Sequence, residues 1–394
     1  MLKNIVFALC GCFLSFGLYA QSSSIVSVLQ EIEQNNTELQ AMQPYMESKW
    51  LELKSENNLP DLSLGGYYLP FGEHSTGDYS EFQISQSFEF PSVYRVRNSL
   101  IDQKKVQLNL VYKAKRQEIL LKAKKYCLEI IYQSKRKVTE QNRAKQAKMV
   151  FDQVQELFDK EQVGILELNK AKVVWMQEQF KLQQIESDIR NLSLLLVNLN
   201  GGKVLTFEQV DYFTSYELGS KDIVWQSRLS GDPLLQQYNQ QEVIAQEQLK
   251  LSKNISLPNF TAGFNSQGVS GERFSGIYGG LSIPLWSNRN KIKSAQANLE
   301  FRESYSTSST MQAYGSFEKQ FNDYQILLSK FNDYQSTLVG LNSDQLLLQA
   351  YQLGEISFME YYIELQFYSK AYDVMLEIEN QLYQLHADLL KHQL

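Results

Sequence analysis

The chain has 394 residues, a formal net charge of −6, 43% hydrophobic residues and 21% charged ones. That is enough apolar material to bury a core, and the composition is neither that of a disordered chain nor that of a nucleic-acid binder. The cysteines Cys10, Cys12 and Cys127 and the histidines His74, His386 and His392 show no ligand spacing, and no nucleophile with a base, paired-carboxylate cleft or phosphate loop is visible, so neither a metal centre nor an enzyme is expected.

Residues 1–20 place Lys3 ahead of an apolar run from Ile5 to about Leu18 and then Tyr19-Ala20-Gln21, which predicts a secretory signal cleaved after Ala20. An alternative puts a lipid anchor on Cys12, because Leu9-Cys10-Gly11-Cys12 loosely resembles a lipoprotein box. Removing the leader leaves Cys127 alone, so no intrachain disulfide can form. No later segment is apolar for long enough to span a bilayer as a helix.

From Ile25 to about Asn57 the spacing is helical, with an interruption at Pro44, and Leu59-Pro60 ends it. A hairpin over 60–91 follows. Its second strand sets Phe82, Ile84, Phe88 and Phe90 on one face against Glu81, Gln83, Ser85, Ser87 and Glu89 on the other. Residues 92–158 then keep a helical period with no proline or glycine, a helix of ~100 Å at about 1.5 Å per residue. Over 92–150 this stretch carries sixteen Lys or Arg against four acids, read as a solvated helix face. A return helix covers 164–199 and stops at Asn200-Gly201-Gly202. Residues 201–230, with Tyr212, Phe213, Tyr216 and Trp225, have no period and are read as an irregular connector or small side domain.

Asp232-Pro233 starts a helix running to about Asn254, and at Leu257-Pro258 the order of elements begins again. A second hairpin spans 257–286, its turn at Ser266 to Glu272. A second long helix is expected over 287–352, weakened only by Gly315 and Gly340, and a return helix over 357–394. The chain thus reads as two structural repeats, 21–200 and 231–394, about the connector. The evidence for duplication lies in the two turns. Gly164 with Glu167, and Ser357 with Glu360, occupy helix cap and third positions at one offset of 193 residues, and the heptad seams that follow keep the same offset. Gly354 can take the left-handed conformation that ends a helix.

Amphipathic strands in an exported chain raise a question of physics. In lipid every backbone donor and acceptor needs a partner, which only a closed barrel provides, and four strands cannot close. Three copies would give about twelve. Glu81, Gln83, Ser85, Ser87 and Glu89 would then line a wet lumen, the phenylalanines would face lipid, and Tyr67, Tyr68, Tyr79, Tyr94 and Trp286 are candidates for the interfacial belt. The charged long helices would project from one mouth.

In these features the sequence resembles the TolC family of outer membrane efflux ducts over essentially the whole mature chain. The most specific piece is Tyr351-x-x-Gly354-Glu-Ile-Ser357-x-x-Glu360, similar to the family's periplasmic turn; the first-half counterpart has Glu161 where the family usually has glycine. Ser85-Gln-Ser-Phe-Glu-Phe-Pro91 is similar to the branch paired with metal-exporting pumps. The resemblance implies a mainly α fold with a membrane β-barrel. That means a homotrimer in the outer membrane of a Gram-negative bacterium, four strands per chain in a twelve-stranded barrel, and coiled-coil helices forming an α-barrel. It further implies no chemistry and no cofactor, with partners in outer membrane lipid, a periplasmic adaptor and an inner-membrane pump. Tyr351 and Glu167 match a lock near the turns, whose reinforcing arginine falls at Ile356. Glu360 matches an acidic aperture ring whose second position falls at Ile363. Glu161, Gly164, Gly354 and Ser357 match turn tips that meet the adaptor. The implied function is passage of small solutes, drugs or metal ions. The alternatives are an outlet for protein secretion or, in another class, an exported coiled-coil adaptor or scaffold.

Overall fold

The computed structural model describes residues 24–69, 78–212, 215–269, 271–338, 341 and 343–394. The leader, with Cys10 and Cys12, lies outside the described residues, as do His74, Phe213 and Gly340.

Helices α1 (Ile25–Asn35) and α2 (Thr37–Ser55) replace the single expected helix, and the break falls at Asn36, not at Pro44, which sits inside α2. Asn36 ends α1 in an extended conformation, caps α2 by accepting from the Leu39 N–H at 3.0 Å, and donates from Nδ2 to the Leu199 carbonyl at 2.8 Å. The break is therefore set by a tertiary partner far along the chain.

Strands β1 (Ser63–Leu69) and β2 (Tyr79–Phe88) lead to α3 (Pro91–Asp159), an unbroken helix of 69 residues, about 100 Å long, with proline at its first position. The return helix α4 (Ile165–Leu199) runs back along it. The connector is not wholly irregular. It holds α5 (Lys221–Gly231), whose Trp225 packs edge-on to Tyr314 with ring centroids 5.0 Å apart. Helix α6 (Pro233–Asn254) is capped by Asp232 and pairs with α3 through glutamines, as where Gln240 donates to the Gln103 carbonyl at 2.9 Å.

Strands β3 (Asn259–Val269) and β4 (Glu272–Ser282) are longer at the hairpin end than the polar stretch from Ser266 suggested. Ser266 and Ser275 are cross-strand partners with their hydroxyls 2.9 Å apart, so polar side chains here belong to strands. At the other end β4 stops at Ser282, before Pro284, which has no N–H to donate. The second long helical stretch is described as α7 (Lys291–Leu338) and α8 (Ser343–Gln352), and α9 (Phe358–Leu389) with a short 3-10 turn, Lys391–Gln393, closes the chain.

All four strands form one antiparallel sheet in the order β1-β2-β3-β4, at the start of α3. The largest core gathers α5, α6, α7 and α9 around Phe317, Leu382 and Leu389, all fully buried. A second joins α1, α3 and α4 around Ile32, Ala123 and Cys127, whose thiol burial pushes up to about 12. A third sits at the far end of α3 and α4 and includes Phe358 and Tyr361 of α9, which brings the two turns together.

The basic run of α3 is not simply a solvated face. Its cations meet acids from nearly every neighbour: Arg116 with Glu33 of α1, Lys115 with Glu38 of α2, Lys104 with Glu56 just past the end of α2, Lys137 with Glu186 of α4, Lys135 with Glu379 and Lys125 with Asp388 of α9. Apart from Lys135–Glu379, whose side chains are only 22% and 13% exposed, these pairs are partly exposed and worth about 0–1 kcal/mol each, so they orient the helices around α3 more than they stabilise them.

Candidate functional site: the two turns and the two-faced sheet

Both turns end a helix in the same way. At the end of α3, the Gln162 N–H donates to the Leu157 carbonyl at 2.9 Å and the Glu161 N–H to that of Phe158 at 2.9 Å; at the end of α8, Glu355 donates to Ala350 and Gly354 to Tyr351, both at 3.0 Å. This paired pattern requires a left-handed residue just past the helix. Glu161 holds it with φ +56°, and Gly354, 193 positions on, with φ +74°. A side chain in that region is strained, which glycine avoids at some cost in unfolded-state entropy. Glu161→Gly is therefore expected to raise stability by about 0.5–1 kcal/mol, read as a higher unfolding midpoint in detergent. An unchanged or lower midpoint would count against strain at this turn.

The following helix starts differ. Ser357 caps α9 with a complete reciprocal box, its hydroxyl accepting from the Glu360 N–H at 3.3 Å while its own N–H donates to Glu360 Oε2 at 2.8 Å. That bond holds the Glu360 carboxyl below the usual carboxylate range, so it is charged at neutral pH. Gly164 caps α4 without a side-chain bond. Tyr351 stacks on Tyr361 with centroids 5.4 Å apart, and half-burial, with the charge of Glu167 adding to it, raises its phenol. Tyr351 and Glu167, from different halves of the chain, are thus neighbours. Glu360 and Ile363 are both exposed on the first turns of α9.

In the sheet, cross-strand partners sort most side chains by face, although Gln86, Ser266, Ser275 and Arg273 fall on the mainly apolar face and Phe274 on the mainly polar one. One face carries the row Leu64, Ile84, Phe264, Ile277 across all four strands, with Phe82, Phe88, Phe260 and Leu281 beside it. The opposite face holds Glu81, Gln83, Ser85 and Ser87, with Asn265 and Gln267 on β3. There Asn265 and the Tyr79 hydroxyl donate to Glu81, and Gln83 bonds Tyr278. Glu89 is placed otherwise than on that face. It lies past the end of β2, where Arg97 of α3 grips both its oxygens. Tyr67 and Tyr79 share the polar face and Tyr68 the apolar one, so these tyrosines do not form a single outward group.

Sequence reasoning missed a buried charged cluster between the two halves. Arg143 of α3 bonds Glu140, Asp373 of α9 at 2.9 Å and the Ser369 carbonyl at 3.1 Å, while Lys181 and Glu178 of α4 are 2.9 Å apart. Its one legible trace is Glu178, a carboxylate at an apolar seam position.

No protein-family model matches the chain, and no curated protein matches it by sequence. Solved structures match by fold. A structure of CusC, described as bearing on folding and transmembrane channel formation, is 12% identical with a TM-score of 0.76, covering 93% of this chain and 91% of that one. The CmeC outer membrane channel of Campylobacter jejuni is 14% identical with a TM-score of 0.73, covering 93% and 85%. A membrane protein from Pseudomonas aeruginosa is 11% identical with a TM-score of 0.77, covering 93% of each chain. The chain has the fold of these membrane proteins, mainly helical with one four-stranded antiparallel sheet. This is the chain fold implied by the resemblance to TolC-type ducts.

Proposed function

We propose that the chain is one subunit of a passive outer membrane exit duct and catalyses no reaction. The observation that carries this reading is the sheet. It has one mainly apolar and one mainly polar face, and within the chain both its edges, β1 and β4, are without a strand neighbour among the described residues. Because the strands alternate in direction, β4 of one copy can pair antiparallel with β1 of the next. Three copies close a twelve-stranded barrel, leaving no edge bare in lipid. Glu81, Gln83, Ser85 and Ser87 then face the lumen. Helix α3 carries the conduit about 100 Å away, across the periplasm, to the two turns. The likeness to the CmeC outer membrane channel supports an outer membrane location.

At the turn end, three copies of Glu360 form an anionic ring around the axis, with Ile363 as an apolar constriction behind it, and Tyr351 with Glu167 holds the end narrow. The tips at Glu161, Gly164, Gly354 and Ser357 meet a periplasmic adaptor joined to an inner-membrane pump, and the cargo is small solutes, drugs or metal ions. Heat-modifiable trimers in the outer membrane fraction that conduct in planar bilayers test the duct; a soluble periplasmic monomer would indicate a scaffold instead. For the ring, Glu360→Gln keeps the reach to the Ser357 N–H and removes the charge. The expected result is loss of most of the cation preference and of block by divalent cations. Conductance and block equal to those of the parent protein would remove Glu360 from the aperture.

A further inference from the structure

The charged cluster between the halves is not used by the conduit itself. Glu140 on α3 and Glu178 on α4 are 3% and 8% exposed, and their carboxyls face one another. Glu140 Oε2 is buried with no donor reaching it. Two adjacent buried carboxyls cannot both be ionised at low cost, and a single proton between them supplies the missing hydrogen bond. We propose that Glu140, Glu178, Arg143 and Asp373 form a proton-held clamp that ties the α3–α4 pair to α9 and loosens when the shared proton leaves.

Charge balance supports this. With one proton on the pair, the two cations bonded within the cluster, Arg143 and Lys181, offset two negative charges, one on the pair and one on Asp373, while the solvent-exposed Lys370 at the cavity wall is left out of this local balance. Without it, the same two cations face three. The tie to α9 consists of the Arg143 bonds to Asp373 and the Ser369 carbonyl. The extra charge on Glu140 draws the guanidinium back toward α3 and away from both. A cavity of about 280 Å³ opens beside the cluster, lined by Glu178, Arg143, Lys181 and Asp373 among mainly apolar neighbours and not by Glu140, with room for several waters to hydrate the Glu178 side of the pair. Burial, then the bond to Glu178, raises the Glu140 carboxyl above its ordinary value. The clamped form therefore binds more protons than the released one. Its hold is constant below the ordinary carboxylate range, falls as pH rises through the raised value and is constant again above it. Each unit of that rise is a tenfold change in the ratio of held to released α9.

The test reads distance, not transport, so its outcome is separate from that of the duct. Spin labels go on the exposed positions Lys172 of α4 and Glu364 of α9 in full-length protein carrying Cys127→Ser, diluted with unlabelled chains. The expected result is a short-distance population at about pH 5 that falls severalfold by about pH 8.5. Glu140→Gln and Glu178→Gln, each a neutral group that still bonds its neighbour, should hold the acid distribution at both values. Arg143→Lys, which keeps the charge and loses the two-pronged reach, should give the released distribution at both. A parent distribution that does not change with pH overturns the clamp, and so does a glutamine variant that follows the parent.

Discussion

Gly201→Ala is expected to destabilise the protein by about 2–5 kcal/mol, and Gly202→Ala by only about 1–2 kcal/mol. Both glycines follow α4, with φ of +67° and +81°, and their N–H groups donate to the Asn198 and Val197 carbonyls at 3.2 and 2.9 Å, closing the helix end. An alanine at either site meets the left-handed penalty. Only at Gly201 would its Cβ also fall 2.4 Å from a backbone atom, the carbonyl oxygen of Asn35, whereas at Gly202 it meets open space. The Asn35 carbonyl cannot swing aside freely, because the α1–α2 break is tied to α4 through Asn35 to Asn200 at 3.1 Å and Asn36 to Leu199 at 2.8 Å. Thermal unfolding of the two variants at matched concentration in detergent gives the comparison. Equal shifts would mean that the close approach is relieved at no cost.

The same junction marks where the sequence stopped being informative. The alternation from Phe82 to Phe88, the proline opening α3 and the Ser357–Glu360 box are local signals, and each coincides with an element or cap of the structure. The break at Asn36 was not local, since the Leu199 carbonyl that takes its amide lies 163 residues away. The cations of α3 likewise read as a wet face because their acids come from α1, α2, α4 and α9, and no window of sequence places those beside them. Glu161 was half legible. Its offset from Gly354 marked the position, but only the backbone angle showed that a glutamate sits where glycine fits best.

The sheet couples these local signals to the largest functional consequence. Leu64, Ile84, Phe264 and Ile277 form one row across four strands, and Ile277 at the β4 end of it is 91% exposed. An isolated water-soluble protein rarely leaves a row of large apolar side chains uncovered across a whole sheet, whereas a membrane barrel requires an apolar outer face. Its opposite face, with Glu81 and Gln83 bonded to Asn265 and Tyr278, is already satisfied and needs no apolar cover.

Ile277→Arg therefore separates a barrel from a soluble scaffold. On the lipid face near mid-bilayer an arginine costs about 2–4 kcal/mol per copy, and a closed trimer carries three. Gly276→Arg is the matched control: it adds the same charge one residue away on the polar face, where a new Cβ meets nothing within 4 Å. The expected outcome is at least about a tenfold loss of heat-modifiable trimer from the outer membrane fraction for Ile277→Arg, with near-parental amounts for Gly276→Arg. On a soluble β domain an exposed isoleucine-to-arginine change falls within about 0.5 kcal/mol of neutral. Equal assembly of both variants would place the row of Leu64, Ile84, Phe264 and Ile277 in water and remove the physical basis for the barrel.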